Sequence, residues 1–360
     1  MMIETTTTDF KRALNVVTNS MSASEMKLYD VGIQLRYSGT TGTLIMKHPL
    51  TELISMADFE GNASEESFET VFFLGTLLND LKPLRKKEDI TIELGSEIIL
   101  STDEDEIFRD ETVEDRIHIP AQTKLYEMNR KDFIDVLHVS GSLTKTTFME
   151  STMSAQIVGY KDKLHVNVTN LAQFAQSNLQ LDKEISETFD ITLDAKEITK
   201  VRNVISKGKG KIVKFFVNGQ NMGFITDTTT VIFKSMVNVS HIDVNKIFQY
   251  LSWEDNFYAF DSKVNAEIAK VQYDLLREAE KEKDKELEKT YQVVPFNRDL
   301  DIKKIILDTE GTFGKVPTRD MYNIIKKLPN EMEVAVNDKC ILFNNKTDTK
   351  QIMLLVPYTQ

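Results

Sequence analysis

One stretch, residues 193–237, constrains the fold more than any other part of the sequence. Asp194 is placed to cap a helix, because a capping residue followed by an apolar period marks a helix start. The apolar face of this helix consists of Ile198, Val201 and Ile205. After a Lys/Gly-rich break at 207–211, the pattern changes to β-branched and aromatic runs, with Asn218-Gly219 as a hairpin turn. The stretch therefore predicts one amphipathic helix followed by three short strands.

The same unit occurs twice more in the chain. The apolar face of the helix recurs as Leu74, Leu77 and Leu81, and again as Met321, Ile324 and Leu328. A period of about 120 residues is too long for a solenoid repeat and fits a tandem of whole domains. We therefore predict three domains, at residues 1–121, 122–240 and 241–360.

The fold class predicted from this pattern is α+β, with two helices packed on antiparallel sheet in each domain. The first helix covers residues 9–19, and Pro83 is expected to end the helix that contains Leu74. The third domain diverges, with a charged helical segment at 262–289. Its inward stripe is predicted to be Val264, Ile268, Val271 and Leu275. The mixed-charge end of that segment, from Arg277 onward, is compatible with a longer helix or with disorder.

The outward faces of the predicted helices carry basic and amide side chains, and Asp135 is the main carboxylate among them. The residues on these faces are Arg12, Asn15, Asn79, Lys82, Lys131, Lys196, Lys200, Asn203, Lys207, Lys270, Arg319 and Lys326. The whole chain is nevertheless acidic, with 56 acidic and 44 basic residues. A charged outer face is the default for a surface helix. The alternative is that these faces together neutralise the phosphates of an anionic polymer without reading its bases.

The residues give no indication of catalysis. The five histidines are scattered, without Cys or carboxylate partners at metal-ligand spacing. The Lys/Gly run at 207–211 lacks the phosphate-loop pattern and follows a helix, so we predict a flexible break there. We expect no catalytic residue, no metal site and no cofactor. Because there is one cysteine, Cys340, and no signal peptide or long apolar run, we expect a cytoplasmic protein without membrane association.

In the order and spacing of these elements the chain resembles a divergent member of the bacterial DNA polymerase III beta subunit family, the DNA sliding clamps. The run FKSMV at 233–237 is similar to the family's FTSKLV, and MLLVPYTQ at 353–360 is similar to YVVMPMRL. The resemblance implies a clamp fold in which a homodimer closes into a ring. Helices then line the hole and contact duplex DNA independently of its sequence. The implied partners are a replicative DNA polymerase, a clamp loader and other proteins that carry clamp-binding motifs.

The resemblance also implies a groove for partner peptides between the second and third domains, closed by the C-terminal tail. By residue match the groove contains Thr169, Leu171, Phe174, Cys340, Leu354, Leu355, Val356, Pro357 and Tyr358. The family has Gly-His-Arg where this chain has residues 171–173, and Met-Arg-Leu where it has residues 358–360. We therefore expect a groove with an altered motif preference. A buried strand would equally explain the apolar residues 354–356.

Two functions from different classes remain open. One is a processivity factor that encircles duplex DNA during replication. The other is a non-encircling α+β scaffold or adaptor derived from the clamp fold. An enzyme on a duplicated fold would need a cleft with convergent polar groups, which the sequence does not display.

Overall fold

The computed structural model describes residues 1–64, 67–85, 87–113, 115–143, 154–170, 173–243, 246–248, 258–297, 312–336 and 340–357. Over these residues the chain is a mixed α+β protein in which every strand pairing is antiparallel. It divides into two compact units, residues 1–130 with 199–235, and residues 131–198 with 236–360. The predicted three-domain boundaries remain a prediction.

The first unit contains a five-stranded and an eight-stranded sheet. The five-stranded sheet has the order β5-β1-β7-β8-β9 and consists of β1 (Met2–Thr6), β5 (Asn62–Ala63), β7 (Asp89–Leu94), β8 (Glu97–Ser101) and β9 (Glu106–Glu111). The eight-stranded sheet has the order β10-β15-β16-β17-β4-β3-β2-β6. Its strands are β2 (Gly32–Ser38), β3 (Thr41–Lys47), β4 (Ile54–Glu60), β6 (Ser67–Phe73), β10 (Tyr126–Asn129), β15 (Ile212–Asn218), β16 (Asn221–Ile225) and β17 (Thr229–Lys234).

The second unit contains another eight-stranded sheet and a two-stranded one. The larger sheet has the order β14-β11-β12-β13-β23-β22-β21-β18. Its strands are β11 (Ser154–Tyr160), β12 (Lys163–Thr169), β13 (Phe174–Gln180), β14 (Phe189–Asp194), β18 (Tyr258–Asp261), β21 (Glu331–Val336), β22 (Cys340–Lys346) and β23 (Lys350–Pro357). The smaller sheet pairs β19 (Val293–Asn297) with β20 (Thr312–Pro317).

The helices are α1 (Thr7–Thr18), α2 (Ala23–Leu28), α3 (Leu77–Asp80), α4 (Arg130–Leu143), α5 (Ala195–Lys207), α6 (Ser262–Glu282), α7 (Lys285–Tyr291) and α8 (Thr318–Ile325). In the described part of the chain, none of them is both long enough and apolar enough to cross a lipid bilayer.

The repeated apolar faces are buried as predicted. The residues concerned are Leu74, Leu77, Leu81, Ile198, Val201, Ile205, Met321, Ile324 and Leu328. The Asp194 carboxylate accepts a hydrogen bond from the Lys196 N–H at 2.8 Å and so caps α5. The first copy differs, because its helix α3 has a single turn. A left-handed Gly75 precedes this turn, no described side chain caps its start and Pro83 follows it.

Each eight-stranded sheet crosses a predicted domain boundary. In the first unit β17 pairs with β4, with Thr229 opposite Ala57. In the second unit β13 pairs with β23, with Phe174 opposite Leu355. The predicted second domain therefore gives β10 and β15–β17 to one sheet and β11–β14 to the other. This sharing explains why the compact units do not coincide with the sequence repeat.

The inward face predicted for α6 is wrong at Val271, whereas Val264, Ile268 and Leu275 are half-buried. Val271 is 59% exposed, and the side chains that are buried instead are Ser262, Asn265, Ala269, Leu276 and Ala279. Small residues on this face let α6 pack against α8, where Tyr273 stacks on Tyr322 with ring centroids 4.9 Å apart. The charged tract is helical, in two pieces, because Lys283 is left-handed and Asp284 caps α7.

Candidate nucleic-acid interface and partner groove

The predicted DNA-facing residues are divided between the two compact units. Arg12, Asn15, Asn79, Lys82, Lys200, Asn203 and Lys207 lie in the first; Lys131, Lys196, Lys270, Arg319 and Lys326 lie in the second. Lys82 and Lys326 follow α3 and α8. The others lie on α1, α3 and α5 in the first unit and on α4, α5, α6 and α8 in the second. That all of them line one surface remains a prediction.

Three of these residues surround one cavity in the first unit. Asn15, Asn79 and Lys82 line a space of about 570 Å³ bounded by α1, α2 and the α3 region. The Lys82 ammonium donates a hydrogen bond to the Asn79 side-chain oxygen at 2.7 Å. All three side chains are exposed. The structure therefore brings the predicted residues of α1 and of the α3 region together.

Arg12 behaves differently, because its guanidinium is turned towards the protein. Its Nη2 donates to the Asp58 backbone carbonyl at 2.6 Å. Its Nε and Nη1 are buried without a hydrogen-bond partner among the described atoms. Burial raises the pKa of the Asp58 carboxyl, against the opposing effects of the Thr43 hydroxyl and the Arg12 charge. The Arg12 side chain thus serves mainly to hold α1 to β4.

Along α5, Lys196 and Lys207 are exposed and Asn203 is half-buried. Lys200 is only 17% exposed in its side chain. Its Nζ lies 2.5 Å from His48 Nε2 and 3.6 Å from Glu25 Oε1. Lys200 is therefore engaged within the first unit, in a cluster that the sequence pattern did not predict.

The His48 side chain is fully buried in this cluster. Burial lowers the pKa of His48, the Lys200 charge lowers it further, and the Glu25 carboxylate raises it. A neutral imidazole has one acceptor nitrogen, which can take a hydrogen bond from the Lys200 ammonium at Nε2 or from the Leu50 N–H, 3.2 Å from Nδ1. A protonated one would place two positive charges side by side, so the geometry favours the neutral ring.

The Lys/Gly run after α5 forms a packed turn and not the flexible break predicted from the sequence. A Cβ at Gly208 would lie 2.2 Å from the Thr226 hydroxyl, so only glycine fits there. Gly210 is left-handed, with φ +84°, and its carbonyl accepts a hydrogen bond from Arg130 Nε at 2.7 Å. The turn therefore holds its exposed lysines in a defined place at the end of α5.

On α4, Lys131 is exposed, and the one carboxylate of the predicted basic face has a partner. The Lys350 ammonium lies 2.6 Å from Asp135 Oδ2 and 3.2 Å from Asp132 Oδ1. The Lys350 side chain is 6% exposed, and Thr349 donates to Asp132 at 2.6 Å. Asp135 thus fixes the β22–β23 turn against α4, and Lys350 neutralises its charge.

The remaining predicted residues, Lys270, Arg319 and Lys326, are exposed. Arg319 on α8 forms an ion pair with Glu280 on α6. Lys326 lies 4.5 Å from the centroid of the Tyr322 ring and donates to the Asn323 oxygen at 2.9 Å. These contacts are local, so the charges stay at the surface.

The predicted groove residues are neighbours in the second eight-stranded sheet. One cross-strand row runs from Thr169 through Phe174 and Leu355 to Leu342, and Cys340 pairs with Pro357. Thr169, Cys340 and Leu354–Val356 are buried, whereas Phe174 is half-buried. Leu171 and Tyr358 lie outside the described residues.

Side chains alternate between the two faces of a strand, so Leu355 shares a face with Phe174, while Leu354 and Val356 lie on the other face. The Leu354 row contains Ala175 and Phe343, both of them buried. An ordinary sheet core therefore accounts for Leu354 and Val356. Phe174, which is half-buried, is the better candidate for contact with a partner, and Leu355 lies buried beside it on the same face.

The face that carries Phe174 continues into amide side chains that sequence reasoning missed. Gln176 donates to Asn167 and Asn167 to Gln156, each at 3.4 Å. On the other side of β23, Asn344 donates to Glu333 at 3.2 Å. The alternation of amide and apolar residues along β12 and β13 could have predicted these amide side chains from the sequence. The apolar row is therefore bordered by a polar one.

Removing the Lys350 ammonium should destabilise the second unit. In Lys350→Met, Asp132 and Asp135 lose the ammonium that neutralises them, which we expect to cost about 2–3 kcal/mol, less than a fully buried pair because Asp135 keeps access to water. Chemical denaturation measures the effect. The exposed Lys346→Met on the same hairpin should change stability by less than about 0.5 kcal/mol. Adding Asp132→Asn and Asp135→Asn to Lys350→Met should recover most of the stability; no recovery would contradict the ion-pair explanation.

The buried His48 should make stability depend on pH. The pKa of His48 is lowered in the folded state. At pH values below the ordinary histidine pKa of about 6.5, the unfolded chain therefore binds more protons than the folded protein. The free energy of unfolding consequently falls as the pH falls through that value. In His48→Gln this fall should be shallower, by at most about 1.4 kcal/mol per pH unit. Burial lowers the pKa of His241 too, so His48→Gln/His241→Gln should be shallower still. Denaturation series from pH about 7.5 to 5 test this, and a slope equal to that of the parent would contradict it.

The similarity to known proteins lies in the three-dimensional structure and not in the amino-acid sequence. No family model and no curated protein matches the amino-acid sequence. The Helicobacter pylori beta clamp bound to a DNA ligase peptide matches with a TM-score of 0.74 at 12% identity, covering 100% of both chains. The Thermotoga maritima DNA polymerase III beta subunit matches with 0.72 at 14%, again over 100% of both. A Pseudomonas aeruginosa sliding clamp bound to griselimycin matches with 0.75 at 10%, covering 100% of this chain and 99% of that one. The chain therefore has the three-domain clamp fold of the DNA polymerase III beta subunit, as the sequence predicted.

Proposed function

We propose that this protein is a DNA sliding clamp, a processivity factor that closes as a homodimeric ring around duplex DNA and tethers the replicative DNA polymerase. The observation that carries the proposal is the clamp fold, shared over the full length of the chain. In this role a clamp loader opens the ring. The protein acts in the cytoplasm, without catalysis of its own.

The exposed cations of α4, α5, α6 and α8 suit a sliding contact. Lysine and arginine side chains that neutralise phosphates bind any duplex and give no base preference. The chain as a whole carries a net charge of −12, so non-specific attraction of DNA to its other surfaces is weak. Encirclement then supplies retention, and weak phosphate contacts permit movement along the duplex.

The row of Phe174 and Leu355 suits the docking of partner peptides. An apolar anchor of a peptide would contact the half-buried Phe174 ring, while the amides beside the row offer hydrogen-bond partners for a peptide backbone. The structural neighbour from Helicobacter pylori was solved with a DNA ligase peptide, which supports a peptide-binding role for this fold. The replaced residues at 171–173 and 358–360 imply a different motif preference in this chain.

A second candidate is a non-encircling scaffold or adaptor. The observation that favours it is the inward engagement of Arg12 and Lys200, which removes two cations from the predicted DNA-facing set. Encirclement separates the two candidates. A ring stays on circular DNA in high salt and leaves when the DNA is cut, whereas an electrostatic binder is washed off both forms.

Lys196→Glu/Lys207→Glu should weaken binding to duplex DNA while leaving the fold intact, because both side chains are exposed. The slope of log affinity against log salt should fall by about 0.9 for each phosphate that the variant no longer neutralises. Fluorescence anisotropy on a labelled duplex measures it. Lys200 is left unchanged, because a glutamate there would face Glu25.

The matched control is Lys161→Glu/Lys163→Glu, which makes the same charge change on the β11–β12 turn. It should bind like the parent in the duplex assay. Retention of the parent protein on circular plasmid in high salt, and its release on linearisation, completes the test. Equal retention on circular and linear DNA would contradict encirclement.

Phe174→Ala should reduce the affinity for a labelled clamp-binding peptide of the DNA ligase type by about tenfold or more, because a half-buried aromatic ring is the expected anchor contact. Tyr160→Ala, an exposed aromatic on β11, serves as the control and should bind normally. Identical affinities for Phe174→Ala and the parent would contradict the assignment of the partner groove to this row.

A further inference from the structure

The cavity beside α2 has an apolar floor in the first unit. Leu14, Leu74 and Leu81 are buried beneath it, and Leu78 and Met26 are partly exposed at its walls. Its volume of about 570 Å³ lies in the range of ligand pockets. The cavity can therefore accept an apolar side chain and exclude water around it.

The rim of the same cavity is cationic. Lys11, Lys27 and Lys82 line it, and no carboxylate is among its described lining residues. The Lys11 ammonium donates to the Leu84 carbonyl at 3.2 Å, and Lys82 donates to Asn79. An ammonium has three donors, so both amines keep hydrogens for an anionic ligand. Charge complementarity thus calls for acidic groups around an apolar anchor.

The wall formed by α2 is fixed in place. Ser22 accepts the Glu25 N–H at 3.2 Å and the Glu25 carboxylate accepts the Ser22 N–H at 2.6 Å, which is a complete capping box. Glu25 also lies 3.5 Å from His48. The cavity is therefore preformed and does not depend on ligand-induced folding of α2.

Two large apolar residues are exposed at the end of α2, directly after the cavity-lining Lys27. Leu28 is 76% exposed and Tyr29 is 38% exposed. Exposed apolar residues next in sequence to an apolar pocket with a cationic rim offer a polypeptide more contacts than a small molecule can use.

We propose that this cavity is a second partner site, which takes an acidic peptide segment with one apolar anchor side chain. The anchor occupies the leucine-lined floor and the flanking carboxylates pair with Lys11, Lys27 and Lys82. Because Asn15, Asn79 and Lys82 also belong to the predicted DNA-facing set, this peptide and DNA exclude each other. The mutual exclusion of peptide and DNA rests on the proposed function, whereas the peptide site does not.

The test uses the full-length protein and a short fluorescein-labelled peptide with a central phenylalanine flanked by glutamates, measured by anisotropy in the absence of DNA. We expect saturable binding that weakens by about tenfold or more in Lys27→Glu and in Leu78→Gln. A peptide with serine in place of phenylalanine should bind more weakly to the same extent. Thermal unfolding of both variants checks the fold, and Lys27→Glu should leave it intact because the position is exposed.

Phe174→Ala and Lys161→Glu/Lys163→Glu should bind this peptide like the parent, which separates the site from the groove and from general charge effects. No binding by the parent would overturn the proposal, as would equal binding by Lys27→Glu and Leu78→Gln. Saturable binding of decanoate without binding of the peptide would also overturn it, in favour of a small amphiphile. Because the assay contains no DNA, none of these results bears on encirclement.

Discussion

Backbone pairing between strands that are distant in the sequence is the constraint on which this structure depends. β17 pairs with β4 in one sheet, and β13 pairs with β23 in another. Each pairing turns two separate groups of strands into one continuous eight-stranded sheet, whose inward residues form a shared core. The cavity beside α2, the Lys200 cluster and the Phe174 row all lie on elements that these two sheets position.

The local sequence pattern was sufficient to predict the elements whose apolar residues recur at a regular spacing. The faces of α5 and α8 and the hairpins of β15–β17 were predicted, since apolar spacing and turn residues agree there. It was insufficient for α6, where close packing against α8 selects small side chains over apolar ones. It also gave no indication of β9, which lies in an acidic stretch. Arg109 on that strand pairs with Glu97 and Glu106, so charged residues there form a surface ladder in place of a core.

The sequence indicated which helices carry the candidate cations, but not which partner each charge contacts. A helix face is read from the direction of the Cα–Cβ bond, yet long side chains turn back to reach partners. Arg12 reaches a carbonyl on β4 and Lys200 reaches His48, although both lie on the expected face. Asp135 shows the converse. The sequence showed it only as the main carboxylate among the cations, and the three-dimensional structure identifies its partner as Lys350, 215 residues away.

The internal place of β23 has a consequence for synthesis of the protein. The edge of β13 is covered only when residues 350–357 exist, because β23 is its neighbour on that side. A nascent chain that has already formed β11–β14 therefore carries an open sheet edge through the translation of the next segments. Such edges recruit other strands, and non-local pairing of this kind is slow. We therefore expect this edge to need protection from other chains until β23 has been made.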